Sequence, residues 1–140
     1  MKFKKLHPNF RLPIRGSEAA GGLDIVMPFN GSITSVPAPF PLGFAAAVPK
    51  GHVGLILPRS STGAKKGLEV TNTTGVIDSD YRGEWIAYLN TKPGFPPIDF
   101  KVDERLLQIV VVPVADVYPE LVEELDETSR GEGGFGSSGK

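Results

Sequence analysis

Thirteen prolines and seventeen glycines are spread along 140 residues, and no other feature limits the fold as tightly. Proline removes a backbone donor and glycine adds to the entropy cost of ordering a helix, so the chain is cut into pieces too short for long helices. The pieces between the breaks, LDIVM, GHVGLIL, EWIAYLN and LLQIVVVPV, are rich in β-branched and aromatic residues. Short strands punctuated by Gly and Pro predict an all-β sandwich or barrel. Pro49-Lys50-Gly51-His52 reads as a turn between two strands, and Asn30-Gly31 as a hairpin signal. At most one short helix is expected after Ser60 and Ser61, in SSTGAKKG, with a serine as its cap. PELVEELDETSR places Leu121, Val122 and Leu125 at helical spacing, with strand as the competing reading. Periodicity alone leaves that choice open.

The length predicts one domain with its own core. Net charge is −1 and no run of Lys and Arg stands out, which argues against a nucleic-acid partner, because phosphates need clustered cations. The basic MKFKKLH is not followed by the apolar stretch of a signal peptide. No run approaches the ~18 apolar residues of a membrane span. The chain has no cysteine, so disulfides, Cys-ligated zinc and thiol catalysis are excluded. Asn30-Gly31-Ser32 and Asn72-Thr73-Thr74 match the glycosylation triplet by chance if there is no export. The expectation is a soluble, cytoplasmic protein with no membrane partner.

Four stretches carry groups that can do chemistry. GVIDSDYRGE, residues 75–84, holds Asp78 and Asp80 around a serine. On a strand they would share a face; in a turn they need not. An Asp beside apolar residues is a candidate general base once a substrate brings water within reach. PRSSTGAKKG, residues 58–67, puts Arg59 before two hydroxyls at a strand end. That grouping suits phosphate oxygens, although for the segment taken alone a capped turn with a solvated lysine pair is the favoured reading. Asp24, in AGGLDIVM, reads as a turn acid or as an anchor reaching Mg²⁺ through water. Gln108 is an amide inside an apolar run and needs a partner if buried. His7 and His52 have no acidic or hydroxyl neighbour that would make a triad, and read as ordinary turn residues. The chain ends in RGEGGFGSSGK, which has a linker's composition except for Arg130 and Phe135.

In order along the chain, AGGLDI, PRSSTGAKKGL, TNTTGVIDSDYRGE, ERLLQIVVVPV and RGEGGFGSSGK resemble the five motifs of the homotrimeric dUTPases. The resemblance spans nearly the whole chain. It implies a jelly-roll or β-clip barrel over residues 1–129 and a flexible flap over 130–140. It also implies hydrolysis of dUTP to dUMP and pyrophosphate with Mg²⁺, which keeps uracil out of DNA and supplies dUMP for thymidylate. Asp78 matches the base that activates the attacking water. Tyr81 matches the ring lying against deoxyribose, which would collide with a 2′-hydroxyl. Asn72, Gly75, Val76, Ile77 and Ile86 match the uracil pocket, which excludes cytosine by unpaired polar groups and thymine by tightness around carbon 5. Ser60 and Ser61 match the phosphate loop, with Arg59 either on phosphate or bracing the acidic hairpin. Gln108 matches a phosphate contact, and Asp24 the acid that meets Mg²⁺ through water.

In the tail, Arg130 matches the γ-phosphate clamp and Phe135 the ring over uracil. Gly136, Ser137 and Ser138 match flap residues close to the nucleotide. In the family the flap closes over a site shared between subunits, and an extended strand runs where this chain has PELVEELDETSR, so strand is expected there. The chain departs from the family's PRSGLA at Ser61 and Thr62, which stand where Gly and Leu are usual. Further departures are Gly21 and Leu23 in the first motif and Ser138 for Thr in the last. The related dCTP deaminases share the fold but release ammonia, and a non-enzymatic nucleotide-binding trimer is a third reading.

Overall fold

A computed structural model describes residues 1–134, among which eleven strands and one short helix form the regular structure. The strands are β1 (Lys2–Lys5), β2 (Ile14–Arg15), β3 (Gly22–Val26), β4 (Gly31–Ile33), β5 (Ala38–Ala47) and β6 (His52–Pro58). After helix α1 (Ser60–Lys66) come β7 (Leu68–Val70), β8 (Gly75–Ile77), β9 (Glu84–Thr91), β10 (Ile98–Phe100) and β11 (Arg105–Pro113). They make a five-stranded sheet in the order β2-β3-β11-β6-β8, a four-stranded sheet β1-β5-β9-β7, and a β10-β4 pair. Every pairing is antiparallel. The expected jelly-roll-like all-β fold is what the chain adopts.

Strand β9 illustrates the residue-level cause. Trp85, Ala87, Leu89 and Thr91 alternate inward and are buried, as the two-residue period of a strand requires. Trp85, Ala87 and Leu89 join Ile25, Ile56, Leu107 and Ile109 from the other sheet in one hydrophobic cluster. Phe44 packs edge-on against Phe3 and tilted against Phe10 and Trp85 at centroid distances of 5.3–5.4 Å, a spacing at which aromatic pairs add to the gain from burial. The outward residues of β9 include Ile86 and Tyr88, both half-exposed.

Three local expectations are corrected. Asn30-Gly31 does not make a hairpin: β4 pairs with β10, and the Asn30 side chain accepts a hydrogen bond from the Val102 amide at 2.7 Å. Gly31 is needed there because a Cβ would come within 2.6 Å of the Phe100 ring. The turn at residues 49–52 does form, with the His52 amide donating to the Pro49 carbonyl at 3.1 Å. It joins strands of different sheets, so it is a corner. Helix α1 forms as expected, but Arg59 occupies its N-cap with extended backbone and no side-chain cap bond. Finally, residues 119–130 form neither strand nor helix. Leu121 and Leu125 stand in solvent there; an isolated segment has no neighbour to complete a ladder.

Candidate active site

The link from β8 to β9 is a tight turn, held by the Tyr81 amide on the Asp78 carbonyl at 3.2 Å. The Arg82 guanidinium donates to the carbonyls of Ser79 (2.7 Å) and Tyr81 (2.9 Å). The two carboxylates of DSD therefore lie in a turn, where period-two sharing of a face does not apply. Asp78 alone of the pair lines a cavity of about 180 Å³, with Val76, Ile77, Tyr81, Glu84 and Ile86. The Tyr81 hydroxyl donates to the Glu84 carbonyl at 3.1 Å, and its ring lies so close over Gly83 that a Cβ there would strike the hydroxyl. Glu84 in turn accepts from the Gly43 amide at 3.1 Å. Gly75 begins β8 opposite Ile56, where an added Cβ would come within 3.0 Å of the Ile56 side chain. Asn72 is exposed in the turn before β8, and the next residue, Thr73, has φ of 70°.

A second group lies on the other side of β6. Gln108 faces Leu57 on β6 and Asp24 on β3, and its side-chain amide donates to the Pro58 carbonyl at 3.0 Å. Asp24 is buried and receives two guanidinium groups, Arg59 Nε on one oxygen at 2.8 Å and Arg105 on the other at 3.2 Å. Arg59 thus braces Asp24 and not the acidic hairpin. Arg105 was not among the expected residues. It sits at a register shift in β11, and a bulge re-aims side chains in a way that alternation cannot reveal. Ser60 and Ser61 are exposed on the first turn of α1.

Among the described residues no three His, Cys, Asp or Glu come together as a metal cage. Asp24 fits the looser role, since a carboxylate has about four lone-pair sites and only two are engaged here by arginine. An Mg²⁺ that arrives on a triphosphate could meet Asp24 through one of its waters.

The two groups are far apart within one chain. Ile77 faces Gly54 and Gly75 faces Ile56, so β8 runs away from Pro58. Asp78 follows at the Val53 end of β6, whereas Arg59 follows Pro58 at the other. At ~3.3 Å per residue they are separated by about 20 Å of strand. Arg130 joins neither group: it lies exposed in a turn, its Nε donating to the Gly133 carbonyl at 2.8 Å. Phe135, Gly136, Ser137 and Ser138 lie outside the described residues.

This is an antiparallel β domain with a carboxylate-lined hairpin pocket and a separate arginine-braced acid beside a hydroxyl-rich loop. The dUTPase family profile matches residues 8–139, and the chain belongs to that family. It is 38% identical over 142 residues to the deoxyuridine 5′-triphosphate nucleotidohydrolase of Syntrophotalea carbinolica, covering 99% of this chain and 96% of the relative. Against the Bdellovibrio bacteriovorus enzyme of the same name identity is 40%, covering 100% and 96%. Among solved structures, the Staphylococcus bacteriophage 80alpha dUTPase with dUPNHPP superposes with a TM-score of 0.87 at 26% identity, covering 99% of this chain and 98% of that one.

Proposed function

We propose that the protein is a dUTP diphosphatase that hydrolyses dUTP to dUMP and pyrophosphate. The observation that carries this is the single cavity gathering Asp78, Tyr81, Ile86, Val76 and Ile77 in a chain of the dUTPase family. Asp78 orients a water and takes its proton as the oxygen attacks the α-phosphorus; the bond from that phosphorus to the bridging oxygen breaks, and pyrophosphate leaves. Mg²⁺ carried by the triphosphate would supply charge neutralisation, with Asp24 as the residue that would hold it through water. Catalysis of this kind rests on positioning and electrostatics, which suits modest ligands such as Ser60, Ser61, Arg59 and Gln108. Tyr81, held over Gly83, closes the space that a 2′-hydroxyl would need. Asn72 and the backbone of Gly75–Asp78 pair with uracil, and Arg130, Phe135, Gly136, Ser137 and Ser138 close over the bound nucleotide as the 130–140 flap. Limiting uracil in DNA and supplying dUMP follow from such a reaction in the cytoplasm. No helix of the described chain is long and apolar enough to cross a membrane.

The active unit in this reading is a homotrimer with shared sites. A separation of about 20 Å between Asp78 and Arg59 exceeds what one bound triphosphate spans comfortably, so the hairpin of one subunit needs the phosphate loop of another. The exposed Val117, Tyr118, Leu121 and Leu125 supply apolar surface for such an assembly. Pyrophosphate release from dUTP with Mg²⁺, measured beside dTTP, dCTP and UTP, tests the reaction. Release from dUTP alone is expected. Ammonia from dCTP would make the protein a deaminase, and tight dUTP binding without turnover would make it a binding trimer.

A further inference from the structure

Thr62 is buried, 4% exposed, and is the residue at which this chain departs from the leucine usual in dUTPases. Its hydroxyl lies 2.6 Å from the Leu106 carbonyl on β11, across 44 residues of sequence. The Arg59 carbonyl lies 3.0 Å from the same hydroxyl, back along its own helix turn, but the hydroxyl has one proton to donate and the shorter contact to Leu106 takes it. The contact to Leu106 is tertiary, and a leucine has no group that can make it.

The bulge of β11 turns two successive carbonyls toward the phosphate loop. The Arg105 carbonyl accepts from the Arg59 guanidinium at 3.1 Å. The Leu106 carbonyl accepts from the Arg59 amide at 3.0 Å and from Thr62. Two donors use both lone pairs of that oxygen, so removing the hydroxyl leaves a buried acceptor half-satisfied. The same strand carries Gln108, bonded to Pro58, and Arg105, bonded to Asp24. Loop, amide and acid are therefore held as one block, and Thr62 ties the first turn of α1 to it.

We infer that Thr62 is a positioning residue for the phosphate loop, its hydroxyl latching Ser60 and Ser61 to the β11 bulge in register with Gln108 and Asp24. The inference rests on the dUTP-hydrolysis reading, so its test carries one kinetic and one structural measurement. Thr62→Val removes the hydroxyl at constant shape, Thr62→Leu removes it in the family's usual form, and Thr62→Ser keeps it. With dUTP and saturating Mg²⁺, at a temperature where each variant is folded by circular dichroism, kcat of the Val and Leu variants falls about tenfold, the factor of one net hydrogen bond. KM changes little, and Ser restores kcat to about the wild-type rate. Amide hydrogen exchange at residues 61–63 quickens in Val and Leu but not in Ser. A stability effect alone would lower the melting temperature and leave kcat intact. Wild-type kcat in either hydroxyl-free variant, or a Ser variant as slow as Val, overturns the latch. If the wild-type protein releases no pyrophosphate the reaction is wrong. Hydrogen exchange then still decides the latch, and equal exchange in all variants rejects it.

Discussion

Two glycines show how single atoms set the site. Gly83 lies under the Tyr81 hydroxyl, so Gly83→Ala must drive the ring out of its hydrogen bond to Glu84. In the proposed reaction the expected outcome is a loss of sugar discrimination: the UTP to dUTP ratio of kcat/KM rises about tenfold or more, since one excluded group is worth ~1–3 kcal/mol. An unchanged ratio would remove Tyr81 as the sugar gate. At Gly22 a Cβ would come within 2.5 Å of Gln108 Oε1, which displaces the amide from the Pro58 carbonyl. Asp78→Asn keeps shape and loses the base; turnover should fall by about 10²-fold or more while calorimetry still detects nucleotide. Near-normal rates would sink the assignment of Asp78. Local surroundings drew attention to Asp78, Arg59, Gln108 and Asp24, and the resemblance to Tyr81 and Ile86, but neither pointed to Arg105, which the structure sets on Asp24. Nothing local in ERLLQ signals that a bulge will aim the arginine at Asp24.

At the scale of elements, the breaks were legible and their partners were not. SSTGAKKG reads as a short helix on the expectation of a serine cap, and the helix forms without that cap. Gly67 does adopt φ of 68° and its N–H returns to the Thr62 carbonyl, a left-handed close that favours glycine. The ring of Phe95 also packs where its Cβ would be. Gly67→Ala therefore combines backbone strain of about 1–2 kcal/mol with a clash. A clear fall in melting temperature is expected, and an unchanged one would show that Phe95 simply moves aside. Asn30-Gly31 misled because an Asn-Gly pair favours a hairpin only if both flanking strands pair with each other, and here β4 found β10. Strand β9 has apolar Ile86 and Tyr88 on its outward face, so its sequence reads as a continuous apolar run and conceals the alternation.

For the whole molecule the proposed trimer makes a prediction that no single chain can satisfy. Asp78→Asn and Arg59→Ala subunits are each expected to be nearly inactive alone. Refolded together, they should recover activity, because mixed trimers contain sites pairing an intact hairpin with an intact phosphate loop. No recovery, with mixed trimers present by mass spectrometry, would confine the site to one subunit and contradict the 20 Å argument from β6. Deletion of residues 130–140 should leave assembly intact and reduce turnover severely; full activity would return the tail to the linker its composition first suggests. By itself the sequence determined the all-β class, through glycine and proline placed where helices would have to run, and membership of the dUTPase family, through five motifs in order. Only tertiary structure decided which strands pair, where the β11 bulge falls, that Arg59 holds Asp24, and that residues 119–130 stay unpaired in one chain. Backbone hydrogen bonds are the same for every residue, so partner choice depends on packing between segments distant in sequence, and that is settled only when the core closes.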